Sequence, residues 1–107
     1  MAYYGGNAVK AFVNFRGTSS VSIRNSYNVS SVSDNGTGKY TVNFSSSVGS
    51  DPTAQVTTSW SDGSRAGWGG LTPSSLPGTT AVQIYSQQPS NYSFMDAVVA
   101  CVTVYRN

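Results

Sequence analysis

Apolar and polar residues alternate with a period of two over most of this chain, the pattern of strands that turn one face inward. The clearest case is "KYTVNFS", residues 39–45, where Tyr40, Val42 and Phe44 share one face and Thr41 and Asn43 the other. "KAFVNF" (10–15) precedes it and ends at Arg16-Gly17-Thr18. In residues 21–29, Val21, Ile23, Tyr27 and Val29 lie opposite Ser22, Arg24, Ser26 and Asn28. Asn25 interrupts the apolar face, as an edge position or a bulge would. "VSSV" (29–32) either prolongs that strand or begins the next, and further strands are predicted over 54–60 and 80–86. The last, "AVVACVTVY" (97–105), is apolar on both faces: Val98, Ala100, Val102 and Val104 point one way, Val99, Cys101, Thr103 and Tyr105 the other. Such a strand is central in its sheet or has its second face covered by another subunit. With no helical period of useful length, the pattern predicts an all-β domain, an antiparallel β-sandwich or jelly-roll-like barrel. Residues 1–9 read as an N-terminal arm and 61–80 as one long surface loop, a length that accompanies function or contact with a partner.

Composition narrows the class. The 107 residues form one domain with one modest core. Only 9% are charged, and Ser, Thr, Asn and Gly fill the outward positions, which suits strands better than helices. The regularly placed Val, Ile, Tyr, Phe and Trp argue against disorder. The net charge of +2 comes from six scattered Lys and Arg residues, so no nucleic-acid footprint is expected. No apolar stretch is long enough to span a bilayer, and Met1-Ala2-Tyr3-Tyr4 does not begin a signal peptide. The chain is expected to be made in the cytoplasm of its host. Cys101 is the single cysteine, which precludes an intrachain disulfide, and its surroundings read as those of a buried thiol. Sequons at Asn28, Asn35, Asn43 and Asn91 then read as by-products of composition.

The chemistry on offer is sparse. Histidine and glutamate are absent, which removes His-based acid–base catalysis, the Ser-His-Asp triad and ordinary zinc sites. The acids are Asp34, Asp51, Asp62 and Asp96, and the first three stand in turn signatures where a carboxylate bonds the local backbone. A glycosidase pair drawn from them has no feature in its favour over the turn reading. "GTGK" (36–39) resembles the end of a phosphate loop, but Tyr40 replaces the needed Ser or Thr and a strand follows instead of a helix. Asn35-Gly36 is instead predicted to be a tight hairpin turn. No catalytic residue, cofactor or metal is expected. Contact residues are sought in "SWSDGSRAGWGG", where Trp68, Arg65 and Asp62 could stack on or bond a partner or a glycan, and at Tyr92 and Phe94. Trp60 reads as core, and Tyr92 and Phe94 could equally cap the sandwich. Tyr3, Tyr4, Val99 and Tyr105 are the candidates for contact between subunits.

Residues 10–44, "KAFVNFRGTSSVSIRNSYNVSSVSDNGTGKYTVNF", resemble a β-domain of bacteriophage virion-surface proteins, found at the C-terminal end of tail fibres and in related small structural proteins of marine and cyanobacterial phages. The pattern carrying the likeness is a "K-A-[WF]-V-N-F" strand, a "G-T" turn, "V-x-I-R-x-S-[YF]-N-V-S-S-V" and "D-N-G-T-G-x-Y-T-V-N-F". It covers about a third of the chain, and "VACVTVYRN" resembles the family's closing strand. The resemblance implies a sandwich-like fold, a homotrimer, a place on the virion surface and no enzymatic activity. If Met1 is the natural start, the "MAYYGGNAV" ahead of the first strand leaves no room for a shaft or a tail-docking segment. The expectation is therefore a capsid decoration (cement) protein bound to the major capsid protein. The alternative, expected if the chain is an excised fragment, is a receptor-binding fibre tip recognising a host surface glycan. A carbohydrate-binding module cut from an enzyme is the third, more remote reading.

Overall fold

The computed structural model describes residues 8–59, 68–71, 78–88 and 93–106. They form eight strands and no helix: β1 (Ala8–Arg16), β2 (Ser22–Tyr27), β3 (Val29–Gly36), β4 (Lys39–Phe44), β5 (Thr53–Ser59), β6 (Trp68–Leu71), β7 (Ala81–Gln87) and β8 (Val99–Arg106). Two four-stranded antiparallel sheets result, sheet 1 in the order β2-β1-β8-β5 and sheet 2 in the order β3-β4-β7-β6. The predicted all-β sandwich is thus the architecture seen. No helix among the described residues is long and apolar enough to cross a membrane.

The alternation of the sequence becomes the core directly. Ala11, Val13 and Phe15 of β1 and Ala100, Val102 and Val104 of β8 face Tyr40, Val42 and Phe44 of β4 and Val82 and Ile84 of β7, all of them buried. Phe15 meets Tyr40 across the sandwich edge to face, with ring centroids 5.2 Å apart, an arrangement favoured by the ring quadrupoles. β8 lies between β1 and β5, the central one of the two placements its doubly apolar sequence allowed.

Several expectations change. Residues 21–29 are not one strand, because Asn28 adopts φ 56° and separates β2 from β3. Asparagine tolerates this left-handed geometry better than most residues. Its side chain also stitches the two sheets: Nδ2 donates to Lys10 O (3.0 Å) and Ser46 O (3.1 Å), and Oδ1 accepts from Ser46 N (2.8 Å). The shared apolar face predicted for Val21, Ile23 and Tyr27 also fails. β2 is an edge strand with a bulge against Asn14/Phe15, and all six of its residues are exposed. The bulge breaks the alternation, leaving Tyr27 outside, opposite Phe12.

The hairpin turn, finally, is Thr37-Gly38 rather than Asn35-Gly36. β3 runs on through Gly36, which pairs with Lys39, and a bulge at Asn35 absorbs the extra residue.

The segment read as one long loop, 61–80, contains strand β6, which pairs with β7 from Trp68↔Gln87 to Leu71↔Ile84. Its glycines hid it from a propensity argument, and close packing explains them. A Cβ on Gly69 would stand 2.6 Å from the Thr58 methyl of β5, where the two sheets close upon each other. Cys101, read as buried, is only half-buried, on the outward face of β8.

Candidate functional site

One polar node ties the hairpin to the rest of the fold. Tyr40 points inward from β4, and its hydroxyl donates to Asp96 Oδ1 (2.8 Å), lying also 3.2 Å from Gly17 O. The same carboxylate oxygen accepts from Gly38 N (2.9 Å). Gly38 is locked on every side: it has φ 68°, its carbonyl accepts from Ser86 N (2.7 Å), and a Cβ would come 2.5 Å from Ser86 O and 2.7 Å from Met95 N. Desolvation, then the hydrogen bond to Asp96 and its charge, hold the Tyr40 phenol well above its ordinary value. This node is structural. It uses the one aspartate without a turn signature, while Asp34 accepts from Gly36 N (3.0 Å), the bond to local backbone expected of it.

The outward faces of the two sheets differ in chemistry. On sheet 1, Phe12 stacks on Tyr27 at 6.1 Å, and Val99, Cys101, Thr103 and Tyr105 of β8 run alongside. Their cross-strand partners on β5 are Ser59, Thr57, Gln55 and Thr53. Val99 and Tyr105, two candidates for subunit contact, therefore do share this face. On sheet 2 the outward residues of β3 and β4 form a ladder of hydroxyls and amides. Asn43 Nδ2 donates to Ser31 Oγ (3.1 Å) and Ser33 Oγ (3.0 Å), and Asn35 Nδ2 to Thr41 Oγ1.

Towards β6 the same face becomes aromatic. Tyr85 and Phe94 meet edge to face at 6.3 Å, and Lys39 Nζ lies 4.5 Å from the Phe94 ring centre. These three, with Asn35, Gln83 and Gln87, line a cleft of about 340 Å³. Gly70 lies beneath Tyr85, so close that a Cβ there would stand 3.1 Å from the phenol oxygen. Trp68, 46% exposed, is the cross-strand neighbour of Gln87 and extends the aromatic line.

Of the sequence-predicted contact residues, Trp68 and Phe94 fall on this face of sheet 2, opposite to Val99 and Tyr105. Tyr3, Tyr4, Asp62, Arg65 and Tyr92 lie outside the described residues, as does Trp60. The residues missed were Gln83, Tyr85 and Gln87. Their signal is present in "VQIYSQ": an aromatic flanked by amides at every second position, hence on one face of one strand.

No family model, no curated protein and no solved structure matches this chain.

Proposed function

We propose that this chain is a non-enzymatic structural protein of a bacteriophage virion surface, a jelly-roll-like homotrimer that decorates the head as a cement protein bound to the major capsid protein. The observation in its favour is the outward face of sheet 1. Val9 is 43% and Tyr27 56% exposed there, beside Phe12, Val99 and Tyr105. β5 contributes no charged residue, and Arg24 of β2 is tied to Asn14 Oδ1 (3.3 Å) and Val98 O (2.8 Å). A broad, weakly charged, partly apolar sheet face suits contact between proteins. A ligand that binds only the assembled shell stabilises that shell. The commitment of Asp34 and Asp96 to backbone N–H groups supports the absence of catalysis.

The test is reconstitution. Heads lacking the protein are expected to rupture at lower temperature, and added protein to restore them. Tyr27→Glu, which places a charge on the face without touching the core, should restore nothing. Heads of unchanged resilience would overturn the reading, and light scattering that shows a monomer would overturn the trimer. The second reading, a tail-fibre tip recognising a host glycan, is favoured by the aromatic and amide side chains on sheet 2. Immunogold labelling of intact virions separates head from tail.

A further inference from the structure

The geometry points to the cleft on the outward face of sheet 2 as a binding site for a neutral saccharide. The aromatic rings of Tyr85 and Phe94 would take the C–H face of a sugar ring, and Gln83, Gln87 and Asn35 its hydroxyls. This deepens the tip-domain reading, yet it stands on the sheet opposite the proposed assembly face, so either can fail alone.

Four observations select this ligand. First, the cleft volume of about 340 Å³ falls at the small end of ligand sites, roughly 300–1,000 Å³. That is room for a short saccharide and too little for a folded partner. Second, among the described residues the lining holds no carboxylate and one cation, Lys39, which is already engaged over the Phe94 ring. Among these residues a cationic ligand finds no counter-charge, and an anion finds no arginine fork. Third, carboxamides both donate and accept, which matches hydroxyls, groups that do the same. Fourth, the cleft lies on a sheet face. The backbone of β4 and β7 beneath it is consumed in ladder bonds, so an extended peptide has no strand to pair with there.

The rings are also held in place before any ligand arrives. Tyr85 rests over Gly70 and against Phe94, Phe94 is fixed by its bridge to Gln87, and Lys39 covers its ring. Preorganised rings lose little freedom on binding. Trp68, beyond Gln87, stands where a second or third sugar unit would reach.

The experiment is an amide chemical-shift titration of the intact chain. The probes are methyl glycosides of glucose, galactose, mannose and N-acetylglucosamine and their linear oligomers, with sialyllactose and an extended decapeptide for comparison. Neutral oligomers are expected to bind weakly, near millimolar, and to shift amides of Lys39–Thr41 and Gln83–Gln87. Phe94→Ala and Gln83→Ala should each weaken binding roughly tenfold, the scale of losing one anchoring contact. Phe94→Tyr should keep binding. Gly70→Ala removes no contact but crowds the Tyr85 ring, and should weaken binding while the spectrum elsewhere is unchanged. Binding confined to sialyllactose or to the peptide, an absence of shifts at tens of millimolar sugar, or affinity indifferent to Phe94→Ala and Gln83→Ala would each overturn the site.

Discussion

Lys39 and Tyr40 are neighbours on β4, and the fold uses them in opposite ways. Tyr40 points into the sandwich, where Phe15, Gly17 and Asp96 all touch it. Lys39 points out to a cleft, where its ammonium lies over the Phe94 ring. Around Tyr40 its hydroxyl, Asp96 Oδ1 and Gly38 N–H are all paired, and the glycines have no spare room. A Cβ on Gly17 would fall 2.1 Å from the Tyr40 oxygen. Around Lys39 there is open volume, and amides line it. Residues whose surroundings are completed by the chain itself serve the fold. Residues whose surroundings are left incomplete are available for a ligand.

Substitutions on the two sides of β4 should separate stability from binding. The largest effect belongs to Gly38→Ala, since both the positive φ and the backbone of Ser86 and Met95 oppose a methyl. About 3–5 kcal/mol of lost stability in urea unfolding is expected. Gly36→Ala provides the comparison. It shares a positive φ, 127°, but has nothing within 4 Å of the new Cβ, so about 1–2 kcal/mol should be lost. Equal losses at the two glycines would show that packing at Gly38 contributes nothing.

Tyr40→Phe comes next, at about 1–3 kcal/mol, because it leaves Asp96 Oδ1 without its hydroxyl donor. It also has a pH signature. The folded phenol loses its proton only well above the value of about 10 at which the unfolded one does. The unfolded state therefore binds fewer protons above that point, so this contribution is complete below about pH 10 and declines as pH rises further. The stability difference between wild type and Tyr40→Phe should accordingly shrink in alkali. A difference independent of pH would remove the argument.

The smallest stability effects are expected across the strand. Lys39→Ala should cost about 0.5 kcal/mol, the worth of an exposed cation–π contact, and Gln83→Ala about as little. A loss above about 2 kcal/mol at either would mean that the cleft is part of the fold's own framework.

Much of the sandwich was legible because alternation is a local rule. Tyr40, Val42 and Phe44 declared their face by spacing alone, and the doubly apolar β8 declared its central place. β6 was not legible. "WGGL" has glycines where a strand former would be expected, and only the closeness of Thr58 and Tyr85 explains them. Tyr27 was misplaced because a bulge, decided by pairing with β1, reverses the faces along β2. At the site, Trp68 and Phe94 stood out as aromatics among turn residues, whereas Gln83, Tyr85 and Gln87 read simply as the outer face of a strand.

The opening glycines of "NGTGKY" divide in the same way. That a turn precedes a strand here, and that no phosphate loop forms, followed from residue types and order alone. That Gly38 rather than Gly36 is hemmed in, and that Asp96, 58 residues along the chain, accepts its N–H, depended on which strands pair. Periodicity is written in neighbours, so the chain carries it openly. The node and the cleft join β1, β3, β4, β6, β7 and the 93–97 segment, and such distant groups meet only once both sheets have closed.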